Sequence, residues 1–99
     1  MKYRISHEAS LDIEQIWLYT FENWSIEQAD RYFNLIMDEI EYLAENTESG
    51  KDYSKVRSGY FSSRIKSHFI FYKIDSKNDW IEIIRILHQQ MDIDTRLNE

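Results

Sequence analysis

The chain has 99 residues, of which 42% are hydrophobic and 15% aromatic, and its formal net charge is −6. These values predict one domain with a packed core and exclude a disordered chain, because disordered segments lack aromatic residues. The absence of Cys excludes disulfides and thiolate sites, and no apolar run suggests a membrane span or a signal peptide. We therefore expect a cytoplasmic protein.

The first half of the chain predicts a short strand and two helices. Residues 2–5 alternate between polar and apolar side chains, as in a strand. Ser6 and Ser25 are each suited to cap a helix, and apolar residues at steps of three and four follow them, which predicts helices over about 7–24 and 26–46. The apolar face of the first helix comprises Ala9, Ile13, Ile16, Trp17, Thr20 and Trp24. The short turn between the helices predicts an antiparallel hairpin.

The second half of the chain predicts an antiparallel sheet, because the period of its apolar residues changes to two. Strands are predicted over Val56–Tyr60, Ser67–Asp75 and Trp80–His88, and Phe61–Lys66 either continues the first strand or forms a turn. A bend is predicted at Gly59, a turn at 76–79 and a helical turn within 91–97. Apolar residues on both faces of the last strand predict a central position or a covered outer face.

The predicted fold class is therefore α+β. It has a short N-terminal strand, an antiparallel helical hairpin and a C-terminal antiparallel sheet of three to four strands, all in a single domain over residues 1–99. Four apolar residues are expected to lie largely buried between the hairpin and the sheet: Trp17, Phe33, Ile36 and Ile84.

Several stretches of the chain resemble one known family. They are Arg57-Ser58-Gly59-Tyr60, His68-x-Ile70-x-Tyr72 and, most specifically, Arg85-Ile86-Leu87-His88-x-x-Met91-Asp92. Within a pattern that runs over nearly the whole chain, they resemble the ParE branch of the RelE/ParE toxin superfamily of toxin–antitoxin modules. The resemblance implies a small α+β toxin that a cognate antitoxin holds inactive. ParE toxins typically target DNA gyrase, whereas RelE-like relatives cut mRNA on the ribosome.

Three functions follow as hypotheses. The first is a gyrase inhibitor that acts by protein binding and is neutralised by a ParD-like antitoxin, the second is a ribosome-dependent mRNA interferase, and the third is a degenerate member that only binds antitoxin. An interferase would use cations on the scissile phosphate and a proton donor, for which the candidates are Arg57, Arg64, Arg85 and His88. The chain lacks the Tyr ending of interferases after His88 and offers no evident base, so we predict no catalytic residues. If the chain is not a nuclease, we expect structural roles for two of these residues. His88 would hold the end of the strand through a hydrogen bond to Asp92, and Arg85 would form an ion pair with an acidic side chain.

Binding to partner proteins is the predicted role of a set of apolar and basic side chains. Four of them fall outside the predicted core faces, and the others come from the basic segment and the C-terminal motif: Leu11, Leu18, Leu35, Tyr42, Arg57, Arg64, His88 and Met91. Residues 51–73 carry six bases and one acid, so we expect an acidic antitoxin segment there. The three His share no ligand spacing and no Gly-rich phosphate loop exists, so no metal, cofactor, membrane or sequence-specific nucleic-acid binding is predicted.

Overall fold

The computed structural model describes residues 1–98 and has an α+β fold. Its elements are β1 (Lys2–Ile5), α1 (His7–Asn23), α2 (Ile26–Glu45), a single 3₁₀ turn (Thr47–Ser49), β2 (Lys51–Asp52), β3 (Tyr60–Ile65), β4 (His68–Asp75), β5 (Trp80–His88) and α3 (Ile93–Leu97). The strand order is β1-β5-β4-β3-β2, in which β2 to β5 are antiparallel and β1 is parallel to β5. The predicted class, the hairpin and two of the three predicted antiparallel strands, over 67–75 and 80–88, are confirmed, and β1 adds a parallel edge that makes the sheet mixed.

Local capping explains where the two long helices begin. The Ser6 hydroxyl accepts a hydrogen bond from the amide of Ala9 at 3.0 Å, and the Ser25 hydroxyl accepts one from the amide of Gln28 at 3.1 Å. Each cap satisfies an amide that has no partner within its own helix. None of the helices within residues 1–98 is long and apolar enough to cross a membrane.

The predicted strand Val56–Tyr60 is wrong, because the chain turns there and β3 begins only at Tyr60. The amides of Val56 and Arg57 both donate to the carbonyl oxygen of Tyr53, at 3.0 and 3.1 Å, so a turn satisfies these amides instead of a neighbouring strand. Gly59 has a φ of +80°, which confirms the predicted bend before Tyr60.

Apolar side chains cover both faces of the sheet. The face toward α1 and α2 carries the larger cluster, which includes Ile36, Ile40, Leu43, Ile70, Tyr72, Ile81, Ile83 and Ile86. The opposite face, called the outer face below, packs against α3 through Tyr60, Phe71, Leu87 and Leu97. The last strand lies between β1 and β4 and is covered on its outer face, as its apolar sequence predicted.

A β-bulge in β5 changes which residues reach the core. Phe71 lies opposite Arg85 while Tyr72 lies opposite Ile83, so Ile84 has no direct partner on β4. Ile84 is half-buried in the outer-face cluster, and the prediction that it packs under the hairpin is wrong. The prediction for Ile36 is confirmed, because its side chain is fully buried.

Trp17 and Phe33 also depart from the predicted core. Phe33 is 39% exposed and Trp17 is only partly buried, because both lie at the side of the helix pair and not beneath it. The apolar stripe of each helix is thus wider than the surface that the sheet covers.

The bulge gives a direct test on two neighbouring residues. Ile83→Ala is expected to lower the free energy of unfolding by about 2–5 kcal/mol, because it empties a fully buried site. Ile84→Ala should cost clearly less, since its side chain already contacts solvent. Chemical denaturation of both variants measures the difference, and equal losses would contradict the register of β5.

Candidate partner-binding groove

A groove of about 1100 Å³ opens between the two long helices and the ends of β4 and β5. We call it the helix-side groove. Most of its surface is apolar and comes from Ile16, Tyr19, Trp24, Tyr32, Leu35, Ile86 and Met91, while the other lining residues are polar or charged. Tyr19 is 60% and Trp24 62% exposed, which is high for aromatic side chains. A concave surface with exposed aromatic walls is suited to bind an apolar segment of a partner.

Three polar rings form the floor of the groove. The Tyr32 hydroxyl lies 2.6 Å from Nδ1 of His68 and 3.2 Å from the carbonyl oxygen of Ile65. His68 and His88 face each other across β4 and β5, with ring centroids 5.0 Å apart. Burial, and then the neighbouring His88, lower the pKa of His68 to about 4, so His68 is neutral at pH 7. The floor therefore offers hydrogen-bonding atoms at His68 without a charge that a partner must desolvate.

His88 fixes the end of β5, although not through the expected residue. Its Nδ1 accepts a hydrogen bond from the amide of Gln90 at 3.1 Å, which holds the turn after the strand. Asp92 instead caps α3, where it accepts from the amide and the hydroxyl of Thr95 at 3.3 and 2.8 Å. The expected His88–Asp92 bond is therefore wrong, because the helix cap engages the carboxylate.

Arg85 pairs with an acid, as predicted. Its Nε and Nη2 donate to the two carboxylate oxygens of Asp12 at 2.8 and 3.1 Å, and the amide of Ile86 donates to the same carboxylate at 2.9 Å. Both charged side chains are largely buried. Asp12 thus ties α1 to the bulged part of β5 and holds two walls of the groove together.

The structure brings only part of the predicted partner-binding set into the groove. Leu35, His88 and Met91 line the groove. Tyr42 is exposed seven residues after Leu35 and therefore lies on the same side of α2. Leu11 and Leu18 are exposed on α1 but do not line the groove.

Sequence reasoning missed two wall residues, Tyr19 and Trp24, and assigned Trp24 to the core face. A usable signal for Trp24 was its position directly before the cap of the second helix, where a turn leaves a large side chain exposed.

The other two arginines of the predicted sites, Arg57 and Arg64, lie on the outer face of the sheet. The Arg57 guanidinium is 5.9 Å from the ring centroid of Tyr60, and that of Arg64 is 5.5 Å from the ring centroid of Phe69. Both rings belong to the outer-face cluster, whereas His88 faces the helices. The four candidate nuclease residues are therefore not assembled around one point. Within residues 1–98, no group of three or more His, Cys, Asp or Glu side chains could hold a metal ion.

Comparisons with known proteins agree with this fold. The family model described as the ParE toxin of the type II toxin–antitoxin system parDE matches residues 3–93. The chain is similar to Toxin ParE1 of Mycobacterium tuberculosis, at 32% identity over 97% of both chains, and to Toxin ParE1 of Caulobacter vibrioides, at 37% identity over 90% of both.

Two solved structures share the fold. A chain of the chromosomal ParDE system from P. aeruginosa has a TM-score of 0.76 at 17% identity, over 89% of this chain and 95% of that one. A chain of the RelBE2 toxin–antitoxin complex from Mycobacterium tuberculosis has a TM-score of 0.68 at 19% identity, over 88% of both chains.

Proposed function

We propose a specific activity for this chain, which belongs to the ParE toxin family of type II toxin–antitoxin systems: it inhibits DNA gyrase by binding it, and a ParD-like antitoxin neutralises it. The observation that supports the proposal is the helix-side groove, a concave and mainly apolar surface that does not bring the four candidate nuclease residues together. In this proposal the antitoxin occupies the groove and forms a hetero-oligomer with the toxin.

The walls of the groove fit an amphipathic helix of the antitoxin. Trp24, Leu35 and Met91 offer apolar contacts at separate points of the rim, and His68 on the floor is uncharged at pH 7. A helix that lays its apolar face into such a groove binds through a few anchoring side chains.

An extended antitoxin segment can continue from the groove along the edge of β3. Short β2 pairs only with Phe61 and Ser62, so residues 63–65 of β3 pair only with β4 among the described strands. Lys66 lines the groove directly after this edge, and Arg64 projects from it on the outer face. This edge suits strand addition by the acidic segment that the sequence predicts.

Binding rather than cleavage is favoured by the positions of the charged side chains. Arg57 and Arg64 lie on the face opposite His88, and Arg85 is engaged by Asp12. Phosphoryl-transfer chemistry on RNA would need cations and a proton donor around the same phosphate. The residues assigned to that alternative do not share one site.

His88→Gln separates inhibition by binding from nuclease activity. Gln keeps a side-chain acceptor for the amide of Gln90 but has no titratable group, so we expect gyrase supercoiling to remain inhibited within a few-fold of the wild type. An interferase with His88 as its acid would instead lose about 10²–10⁴-fold in rate.

The assay runs wild-type and variant protein in a gyrase supercoiling reaction and in a translating extract, with circular dichroism to verify folding. Cleavage of mRNA that disappears in folded His88→Gln protein would establish the interferase alternative. If wild-type protein affected neither reaction while still binding antitoxin, it would be a degenerate member.

A further inference from the structure

A second apolar surface lies on the side of the helix pair away from the helix-side groove. We call it the flank surface and define it by Trp17, Phe21, Phe33 and Met37. A cleft of about 520 Å³ passes between α1 and α2 here, and none of its lining residues belongs to the helix-side groove. Phe21 stacks on Trp17 with ring centroids 5.3 Å apart, and it is 44% exposed. Trp17 and Phe33 both line the cleft, so the three aromatic rings, two of them exposed, form one patch beside it.

One ring of the patch, that of Trp17, is held by a hydrogen bond within the free chain. The indole N–H of Trp17 donates to the carboxylate of Asp30 at 2.9 Å, which ties α1 to α2 and orients the ring. Trp and Phe are enriched at protein interfaces, and a side chain that is held in place loses little entropy when a partner binds. The patch therefore has the chemistry of a docking surface, and one of its rings is oriented before a partner binds.

The charges around the patch identify the partner's chemistry. Glu14 and Asp30 line the cleft together with its apolar residues, and no Lys or Arg does. Residues 7–45 carry ten acidic side chains and a single base, Arg31, which lines the helix-side groove instead. A partner that covers the flank surface must therefore supply positive charge.

The same charges disfavour two other occupants. A symmetric contact between two copies of the chain would bring the same acidic residues against each other, which is unfavourable. Anionic lipid headgroups would meet the same repulsion.

We propose that the flank surface docks a basic amphipathic segment of a second protein. Apolar side chains of that segment would contact Trp17 and Phe33, and its Lys or Arg side chains would pair with Glu14 and Asp30. This inference goes beyond the proposed function, because it neither requires gyrase as the target nor uses the groove assigned to the antitoxin.

Three tryptophans allow each surface to be followed separately by NMR. Trp17 lies on the flank surface, Trp24 lies in the helix-side groove, and Trp80 lies beside Arg4 on the outer face. The ¹⁵N-labelled full chain is titrated with a synthetic helical peptide of about 15 residues, with Leu on one face and Lys on the other. A peptide with Glu in place of Lys is the matched control. The Trp17 indole signal is expected to shift saturably with the Lys peptide only, while the Trp24 and Trp80 signals move little.

Matched variants test whether the shift arises from the flank surface. Phe33→Lys removes an aromatic contact and adds a repelling charge, so it should weaken peptide binding by about tenfold or more. Ser58→Lys makes the same charge change at an exposed site that lines neither the flank cleft nor the helix-side groove, and it should leave the affinity within about twofold. Glu14→Lys at the rim is a second variant that keeps every aromatic residue, and it should also weaken binding.

The proposal is overturned if the Lys peptide shifts Trp24 or Trp80 as much as Trp17, or if the Glu peptide binds equally well. It is also overturned if folded Phe33→Lys binds the Lys peptide as tightly as the wild type. If Phe33→Lys does not fold, wild-type affinity of the Glu14→Lys variant overturns the proposal instead. Gyrase takes no part in this titration. A failure of the proposed function would therefore appear in the supercoiling assay, and a failure of this inference would appear in the NMR titration.

Discussion

Asp12→Ala is expected to lower the free energy of unfolding by about 3–5 kcal/mol, the cost of breaking a largely buried ion pair. The Asp12 carboxylate accepts hydrogen bonds from both Arg85 and the amide of Ile86, so one substitution removes three hydrogen bonds between α1 and β5. Domains of this size are typically stable by about 5–15 kcal/mol in total. Urea or guanidinium denaturation of the purified variant measures the loss.

An exposed ion pair between β1 and β5 provides the control. Arg4 and Glu82 are 3.6 Å apart on an exposed part of β1 and β5, and such pairs contribute about 0–1 kcal/mol. Glu82→Ala should therefore change the stability little. If the two variants lost similar stability, the Asp12 pair would not hold α1 on the sheet in the way its geometry indicates.

Trp24→Ala is expected to weaken antitoxin binding by at least about 2 kcal/mol, or roughly 30-fold in Kd. Trp24 is the most exposed aromatic residue in the wall of the helix-side groove, so a segment that fills the groove covers it. Its backbone amide, which donates to Thr20, is kept in the alanine variant. Calorimetric titration of toxin with antitoxin gives the affinities.

Leu11→Ala is the matched control for Trp24, because it shortens an exposed apolar side chain that lines neither groove. Equal affinities of wild-type toxin and Trp24→Ala would contradict the placement of antitoxin in the groove. Repeating the titration at low and high salt tests the acidic segment that the sequence predicts beside residues 51–73. An affinity that does not fall with salt would remove that electrostatic contribution.

The helices and their caps could be predicted because their signals are local. The hydroxyls of Ser6 and Ser25 accept hydrogen bonds from amides three residues later, and this spacing can be recognised in the sequence. The parallel pairing of β1 with β5 and the bulge at Ile84 were not predictable in this way. The last strand is apolar on both faces, so its pattern did not show where its alternation is interrupted.

The candidate site was predictable only where a motif or an exposed helix position marked it. His88 and Met91 belong to the C-terminal stretch that carries the family resemblance, and Leu35 falls outside the predicted core face. Trp17 and Trp24 were assigned to the core because helical spacing shows which residues share a side of a helix. It does not show how much of that side the sheet covers, and here the sheet leaves both rings partly in solvent.

The pairing of the first strand with the last also governs when the toxin can become active during its synthesis. The Ser6 hydroxyl donates to the carbonyl of Ile84, 78 positions later, and within residues 1–98 β1 pairs with β5 alone. At about 5–20 residues per second, a ribosome needs roughly 4–16 s to make the chain between these two residues. Until then α1 and α2 have no completed sheet to pack on, and Ile86 and His88 are absent from the groove. The nascent chain therefore acquires its binding surface only after residues 86–88 have been synthesised.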